Sequence, residues 1–120
     1  MSAKALNYCK GRKSENEAKE YLIKKGFIFI ESNFEVDNGE IDLIMSDKDW
    51  LVFVEVKYKS NDYMGYPEDM IDKRKIAQVK RIAQFYLLKN PNIERKFGKY
   101  RIDAVCILGD KITHYVNIYA

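Results

Sequence analysis

The sequence predicts a mixed α/β fold with the element order helix, three strands, helix, two strands. Apolar residues recur at helical spacing in two segments, and short runs rich in β-branched and aromatic residues fill the rest. The second helical segment separates the third strand from the fourth, so these two strands can pair in parallel. With 120 residues, 47% hydrophobic and 32% charged, the chain is expected to form a single domain over residues 1–120.

The first helix is predicted over residues 14–25, after a loosely ordered segment at residues 1–13. Ser14 and Glu17 have the spacing of a capping box, and Gly26 is a typical helix stop. Three strands are predicted next, over residues 27–33, 40–45 and 50–58, with turns between them.

The second half of the chain predicts a polar loop at residues 61–67 and a long helix over residues 68–88. Asn90-Pro91-Asn92 is expected to end this helix. Two strands follow at residues 100–108 and 111–119, joined by the hairpin signal Gly109-Asp110. On these strands Arg101 and Asp103 are expected to pair with each other or with a neighbour, and His114 to lie on the sheet surface.

The composition predicts a cytoplasmic protein that does not enter a membrane. The longest apolar runs, such as residues 27–30 and 51–54, are far shorter than the roughly 20 residues of a membrane span. The N-terminal residues have no apolar stretch typical of a signal peptide. Cys9 and Cys106 form no Cys-x-x-Cys pair, so neither a disulfide framework nor a zinc site is predicted.

Charge is distributed unevenly along the chain. Residues 1–30 carry seven basic and three acidic residues, and residues 61–100 carry nine basic and five acidic residues. Residues 31–60 between them carry three basic and eight acidic residues. An acidic centre flanked by basic segments points to a polyanion held around a cation site, although solvated helices also segregate charge in this way.

The pairing of the second and third strands can be derived from their apolar pattern. A turn centred between residues 48 and 49 pairs apolar residues with each other on one face. The predicted pairs on that face are Ile41 with Val56, Leu43 with Val54, and Met45 with Val52.

The same register places two carboxylates, Asp42 and Glu55, directly opposite each other, with Lys57 on the same face. Like charges this close require a cation between them or a proton on one. Carboxylate oxygens suit Mg²⁺ or Mn²⁺, which polarises a phosphodiester, while a lysine can position a water or offset developing charge. The alternative is structural: Glu40 and Lys57 form a cross-strand ion pair, and Glu55 pairs with a basic side chain elsewhere.

The motif Gly-Glu-Ile-Asp-Leu-Ile at residues 39–44, followed by Val-Phe-Val-Glu-Val-Lys at residues 52–57, resembles the signature of the YraN family of small bacterial proteins. That family is similar to Holliday-junction resolvases and to the restriction-endonuclease-like PD-(D/E)xK nucleases. Weaker flanking matches extend the resemblance over nearly the whole chain. The sequence departs from the family pattern at Ser14, where glycine is usual, and at Glu35, where arginine is common.

The resemblance implies a restriction-endonuclease-like core and a Mg²⁺ site formed by Asp42, Glu55 and the Val56 carbonyl. Lys57 would assist the reaction. Glu15 would complete the carboxylate cluster; a first-turn glutamate favoured by the helix dipole is the alternative.

Four basic residues of the long helix are candidates for phosphate contacts: Lys73, Lys75, Lys80 and Arg81. A solvated helix face is the alternative explanation. The function expected from these residues is metal-dependent hydrolysis of phosphodiester bonds in DNA, including branched or damaged DNA. The competing hypothesis is a non-catalytic module that binds nucleic acid or protein and retains the fold. Resolvase-like action on two strands would require a homodimer.

Overall fold

The structure is a computed structural model that describes residues 3–37, 39–59 and 72–118, with only the backbone described for residues 3–11. Its elements in chain order are α1 (Ala3–Lys24), β1 (Ile28–Val36), β2 (Gly39–Asp47), β3 (Trp50–Lys59), α2 (Lys73–Lys89), α3 (Pro91–Lys96), β4 (Lys99–Leu108) and β5 (Lys111–Tyr115).

The five strands form one mixed sheet in the order β1-β2-β3-β4-β5. Strands β3 and β4 are parallel and the other neighbouring strands are antiparallel. A parallel pair needs a long crossover, and α2 and α3 lie in the segment that connects β3 to β4. The predicted mixed α/β fold is therefore confirmed.

A helix packs on each face of the sheet. Ala18 and Leu22 of α1 pack with the buried side chains of one face, which include Leu43, Val54 and Val105. The buried residues of α2 pack on the opposite face, against a set that includes Ile44, Phe53 and Ile102; they are Val79, Ile82, Ala83 and Tyr86. Among the described residues, no helix is both long enough and apolar enough to cross a bilayer.

The predicted register of β2 and β3 is confirmed from the pair Leu43–Val54 to the pair Asp47–Trp50. One assignment was wrong: Ile41 packs with the α2 face, although Leu43 packs with the α1 face. The break in β2 lies beside an irregular point of β1, where Asn33 has a left-handed backbone with φ of 55° between the pairs Ser32–Leu43 and Phe34–Ile41. A left-handed residue interrupts the alternation of side chains in its own strand. In the neighbouring strand β2 the interruption falls between Ile41 and Leu43, at Asp42.

Several predicted boundaries also differ. Helix α1 begins at Ala3, so residues 3–13 are helical and Ser14, which is 5% exposed, lies inside the helix and does not cap it. Ala, Leu and Lys in this segment favour a helix. Pro91 begins the short helix α3 in addition to following the end of α2, since proline suits a first helical position.

Two further expectations concern the ends of the predicted elements. The predicted loop at residues 61–67 and the start of the long helix at residues 68–71 lie outside the described residues. The described part of this helix begins at Lys73, with Asp72 as its N-cap. Strand β5 ends at Tyr115, and the left-handed Asn117 follows it with φ of 55°.

Candidate metal centre

Three carboxylates meet where α1 lies against the first residues of β2. Glu15 of α1 and Glu40 and Asp42 of β2 each offer an oxygen atom, and these oxygens lie within 4.8 Å of one another. The break in alternation beside Asn33 explains this meeting, because it leaves Ile41 on the α2 face and its two neighbours on the α1 side. Glu40 is a member of the cluster that the sequence reasoning missed.

Asn33 fixes the position of Glu15. Its side-chain amide donates to both Glu15 oxygens, at 2.9 and 3.1 Å. Burial raises the pKa of Glu15 above its ordinary value; the Asn33 hydrogen bond opposes this rise, and the charge of Glu40 adds to it. The carboxylate of Glu15 therefore lies in the cluster with Glu40 and Asp42. The alternative of a first-turn glutamate was wrong, because α1 begins at Ala3 and Glu15 lies well inside it.

Asp42 lies where strands β2 and β3 separate. The β2–β3 pairing ends at Leu43 and Val54, and beyond it the Val56 N–H donates to Asp42 Oδ2 at 2.8 Å. The predicted strand pair of Asp42 with Glu55 is thus replaced by a bond from the backbone of β3 to the Asp42 side chain. Burial, and after it the charge of Glu55, raise the pKa of Asp42 to about 8, although the Val56 bond lowers it.

Glu55 is a buried carboxylate with one oxygen unsatisfied. The residue is 7% exposed, and its Oε1 forms an ion pair with Lys57 Nζ at 3.0 Å. No hydrogen bond from any described residue reaches Glu55 Oε2. The structural alternative, a cross-strand ion pair of Glu40 with Lys57, was wrong, because Lys57 binds Glu55 on its own strand and Glu40 belongs to the carboxylate cluster.

Glu55 and Lys57 line a small cavity under the N-terminal end of α2. Its volume is about 10 Å³, room for about one water molecule. Lys75 and Asp72 border the same cavity, whose other walls are mostly apolar. Of the four basic residues predicted on the long helix, Lys75 is therefore the one beside Glu55.

The other three basic residues of α2 lie elsewhere along the helix. Lys73 is exposed at its first turn, and Lys80 is half-buried. Arg81 lines a groove of about 560 Å³ together with Glu35 and Asp37. The structure thus separates Arg81 from Lys75, and two acidic residues share the Arg81 groove.

A second buried polar group joins β4, β5 and the end of α1. Asp103 is 0% exposed and binds Arg101 at 3.0 Å and His114 Nε2 at 2.8 Å. Burial opposes ionisation of Asp103, but the hydrogen bonds from His114, Arg101 and the Asn117 N–H hold its pKa below the ordinary value. The expected Arg101–Asp103 pair is confirmed, whereas the surface position of His114 was wrong: its side chain is 3% exposed, between Asp103 and Lys25.

The donor set of the first group suits a hard divalent cation. The carboxylates that lie together are Glu15, Glu40 and Asp42. Glu55 is not a member of this cluster and lines the cavity under α2, but its unpartnered Oε2 requires a donor or a cation that no described residue supplies. Oxygen ligands of this kind are typical of Mg²⁺ and Mn²⁺ sites. The residues present therefore fit the cation that the motif implied.

A family model and the related sequences that match this chain all point to one protein family. The model of the uncharacterised protein family UPF0102 matches residues 14–107. A UPF0102 protein of Persephonella marina is 38% identical over 114 residues, which cover 95% of this chain and 96% of that protein. A UPF0102 protein of Clostridioides difficile is 34% identical, over 92% of this chain and 96% of that protein. One of Colwellia psychrerythraea is 43% identical, over 84% of this chain and 78% of that protein.

Proposed function

The chain belongs to the uncharacterised protein family UPF0102, the YraN family that its motifs resemble, and from this premise we propose that it is a restriction-endonuclease-like, Mg²⁺-dependent nuclease that hydrolyses phosphodiester bonds in DNA. The observation that supports the proposal is the buried Glu55 carboxylate, which has one oxygen unsatisfied, pairs with Lys57 and raises the pKa of Asp42 by its charge. Burying such a group without a partner is unfavourable unless a bound ligand completes it.

The cation would be held by Asp42, Glu55 and the Val56 carbonyl, with Glu15 completing the carboxylate cluster. Mn²⁺ would serve in place of Mg²⁺, because both prefer oxygen ligands. When bound, the cation supplies charge stabilisation of the phosphoryl oxygens and a water of lowered pKa.

The side chains around the proposed cation site have defined roles in this scheme. Asp42 releases its proton when the site is occupied, since a carboxylate ligand must be ionised. Glu55 holds the Lys57 ammonium at 3.0 Å, so that it faces the reacting water or the developing negative charge. Asn33 keeps Glu15 directed at the cluster through its two hydrogen bonds.

The substrate class in this proposal is DNA, including branched or damaged DNA. Lys73, Lys75, Lys80 and Arg81 would bind phosphates without reading sequence. Cutting both strands of a branched substrate would need two active sites, which a homodimer supplies.

The test is a cleavage screen with the purified protein. Duplex, single-stranded, flap and four-way DNA are each incubated with Mg²⁺, with Mn²⁺ and with a chelator. We expect cleavage of at least one substrate with either cation and none with the chelator. Absence of cleavage on all four substrates, by a protein that still binds them, would favour the non-catalytic binding module.

A further inference from the structure

A second basic surface lies on the α1 side of the carboxylates, opposite the lysines of α2. A cavity of about 100 Å³ opens beside Glu15, lined by Arg12, Asn16, Lys19, Ser32 and Asn33. Arg12 and Lys19 lie three residues before and four residues after Glu15 on α1, so all three share one helix face. We call this the α1 cavity.

The polar groups of the α1 cavity suit an anion. Two cationic side chains and three neutral hydrogen-bonding side chains line it, with Glu15 as its one carboxylate. Both Glu15 oxygens accept from Asn33, and the charge of Arg12 lowers the pKa of Glu15, against the larger effect of burial. Glu15 is thus engaged by neighbours and leaves a site with net positive charge.

A nucleic-acid strand needs cations on both sides of an acidic centre. A strand that presents one phosphate to Asp42 and Glu55 carries its neighbouring phosphates to either side, where Glu15 and Glu40 would repel them. On the α2 side, Lys57 and Lys75 line the cavity beside Glu55 and supply positive charge for these phosphates. On the α1 side, the cations present are those of the α1 cavity.

We propose that the α1 cavity binds a phosphate of the substrate strand next to the one that is cleaved, with Arg12 and Lys19 as its charged contacts. The strand would cross the sheet where β2 and β3 separate, from the lysines near α2 to α1. The proposal rests on the proposed function for the position of the reacting phosphate, but it concerns binding and can be measured without cleavage.

The experiment compares two double variants of the same helix. Arg12→Gln with Lys19→Gln removes two charges from the α1 cavity. Lys13→Gln with Lys24→Gln removes two charges from an open groove on another side of α1, lined also by Glu17, Glu20 and Ile112. Glutamine keeps helix propensity, so both variants should fold. Affinity for fluorescein-labelled single-stranded and duplex DNA is measured in Ca²⁺ across a series of salt concentrations.

We expect the cavity variant to bind more weakly and to flatten the slope of log affinity against log salt by about one unit, for the one phosphate that the cavity no longer neutralises. The groove variant should stay close to the wild type. Equal losses in the two variants would overturn the proposal, because net charge alone would then explain them, and so would a wild type that binds neither DNA.

The two proposals can fail separately. If the wild type cleaves no DNA and the cavity variant selectively loses affinity, the nuclease function fails but the α1 cavity still binds the nucleic acid. If the wild type cleaves DNA and the cavity variant binds DNA as tightly as the wild type, the nuclease function stands and the α1 cavity is not a phosphate site. If the double variant unfolds, the single variant Arg12→Gln, at an exposed position, should still bind more weakly and flatten the slope by up to about one unit.

Discussion

Asp42 Oδ2 accepts a 2.8 Å hydrogen bond from the Val56 N–H at the point where β2 and β3 stop pairing. A side chain here replaces the backbone partner that a regular ladder would supply. The bond links one proposed cation ligand to the strand that carries the others, so that Asp42, Glu55 and Lys57 are positioned by a single hairpin. The carboxyl that makes this bond has a raised pKa, which leads to the first two predictions.

Replacing Asp42→Asn should stabilise the cation-free protein increasingly as pH rises. The pKa of Asp42 is about 8 in the folded protein and ordinarily 3.8. Between these values the folded state binds the extra proton, so the free energy of unfolding of the wild type falls with rising pH. The difference between variant and wild type should grow from near zero at about pH 4 to a plateau above pH 8, with a limiting slope of about 1.4 kcal/mol per pH unit.

Urea unfolding at several pH values in a chelator measures this difference. Asp49→Asn, at an exposed turn position, is the matched control for loss of one acidic charge. If both variants show the same pH-independent difference from the wild type, the pKa of Asp42 is not raised in the folded protein.

Divalent cations should stabilise the wild type, and their binding should strengthen with pH. The cation competes with the proton on Asp42, so the apparent affinity for Mn²⁺ should fall by up to about tenfold for each pH unit below 8. Calorimetric titration between pH 6.5 and 8.5 tests the pH dependence, and melting in millimolar Mg²⁺ or Mn²⁺ tests stabilisation by mass action. Unchanged melting of the wild type, or an equal rise in Asp42→Asn, would contradict a metal site here.

Replacing Asn33→Gly should separate the two roles of this residue. Glycine adopts the φ of 55° without strain, so only the hydrogen bonds to Glu15 are lost. The pKa of Glu15 should rise further, since the Asn33 amide is a contact that lowers it. Asn33→Ala should show the same rise and be less stable than the glycine variant by about 1 kcal/mol, because alanine is strained in this conformation. An NMR titration of the Glu15 carboxyl checks this; no change in either variant would refute the positioning role.

Replacing Asp103→Asn should destabilise the fold and leave the carboxylate cluster intact. The change leaves Arg101 and His114 without their buried anionic partner, which costs about 3 kcal/mol or more. The depressed pKa of Asp103 contributes stability that is present above about pH 4 and is lost as pH falls through its folded pKa. The acid-induced loss of stability should therefore be smaller in the variant. A variant as stable as the wild type at pH 7 would contradict this assignment.

Strand pairing was the part of the fold most accessible from sequence. The alternation of apolar residues around Leu43 and Val54 fixes their register, because a slip by one residue would expose the core face. The same logic failed at Ile41. Asparagine tolerates a left-handed backbone but does not require one, so the φ of Asn33 could not be inferred from its identity.

The candidate site was predictable in part for the same reason. Asp42, Glu55 and Lys57 follow from the motif, and Glu15 from the family resemblance. Glu40 was missed because regular alternation places it opposite Lys57, whereas the irregular backbone moves it to the α1 side. An asparagine at the last position of the predicted first strand, Asn33, is the signal that could have raised this alternative, because asparagine is depleted in strands and tolerates a left-handed backbone.

The most direct test of the account is the single-turnover cleavage rate of Lys57→Ala, measured together with its DNA affinity. We expect cleavage to be abolished while affinity and its salt dependence stay close to the wild type, because Lys57 is assigned to the reacting water and developing charge. The matched variant Lys73→Gln with Lys80→Gln should bind more weakly yet cleave when saturated with DNA. If Lys57→Ala loses as much affinity as this α2 variant and the wild type cleaves nothing, the residue is a binding contact and the enzyme assignment fails.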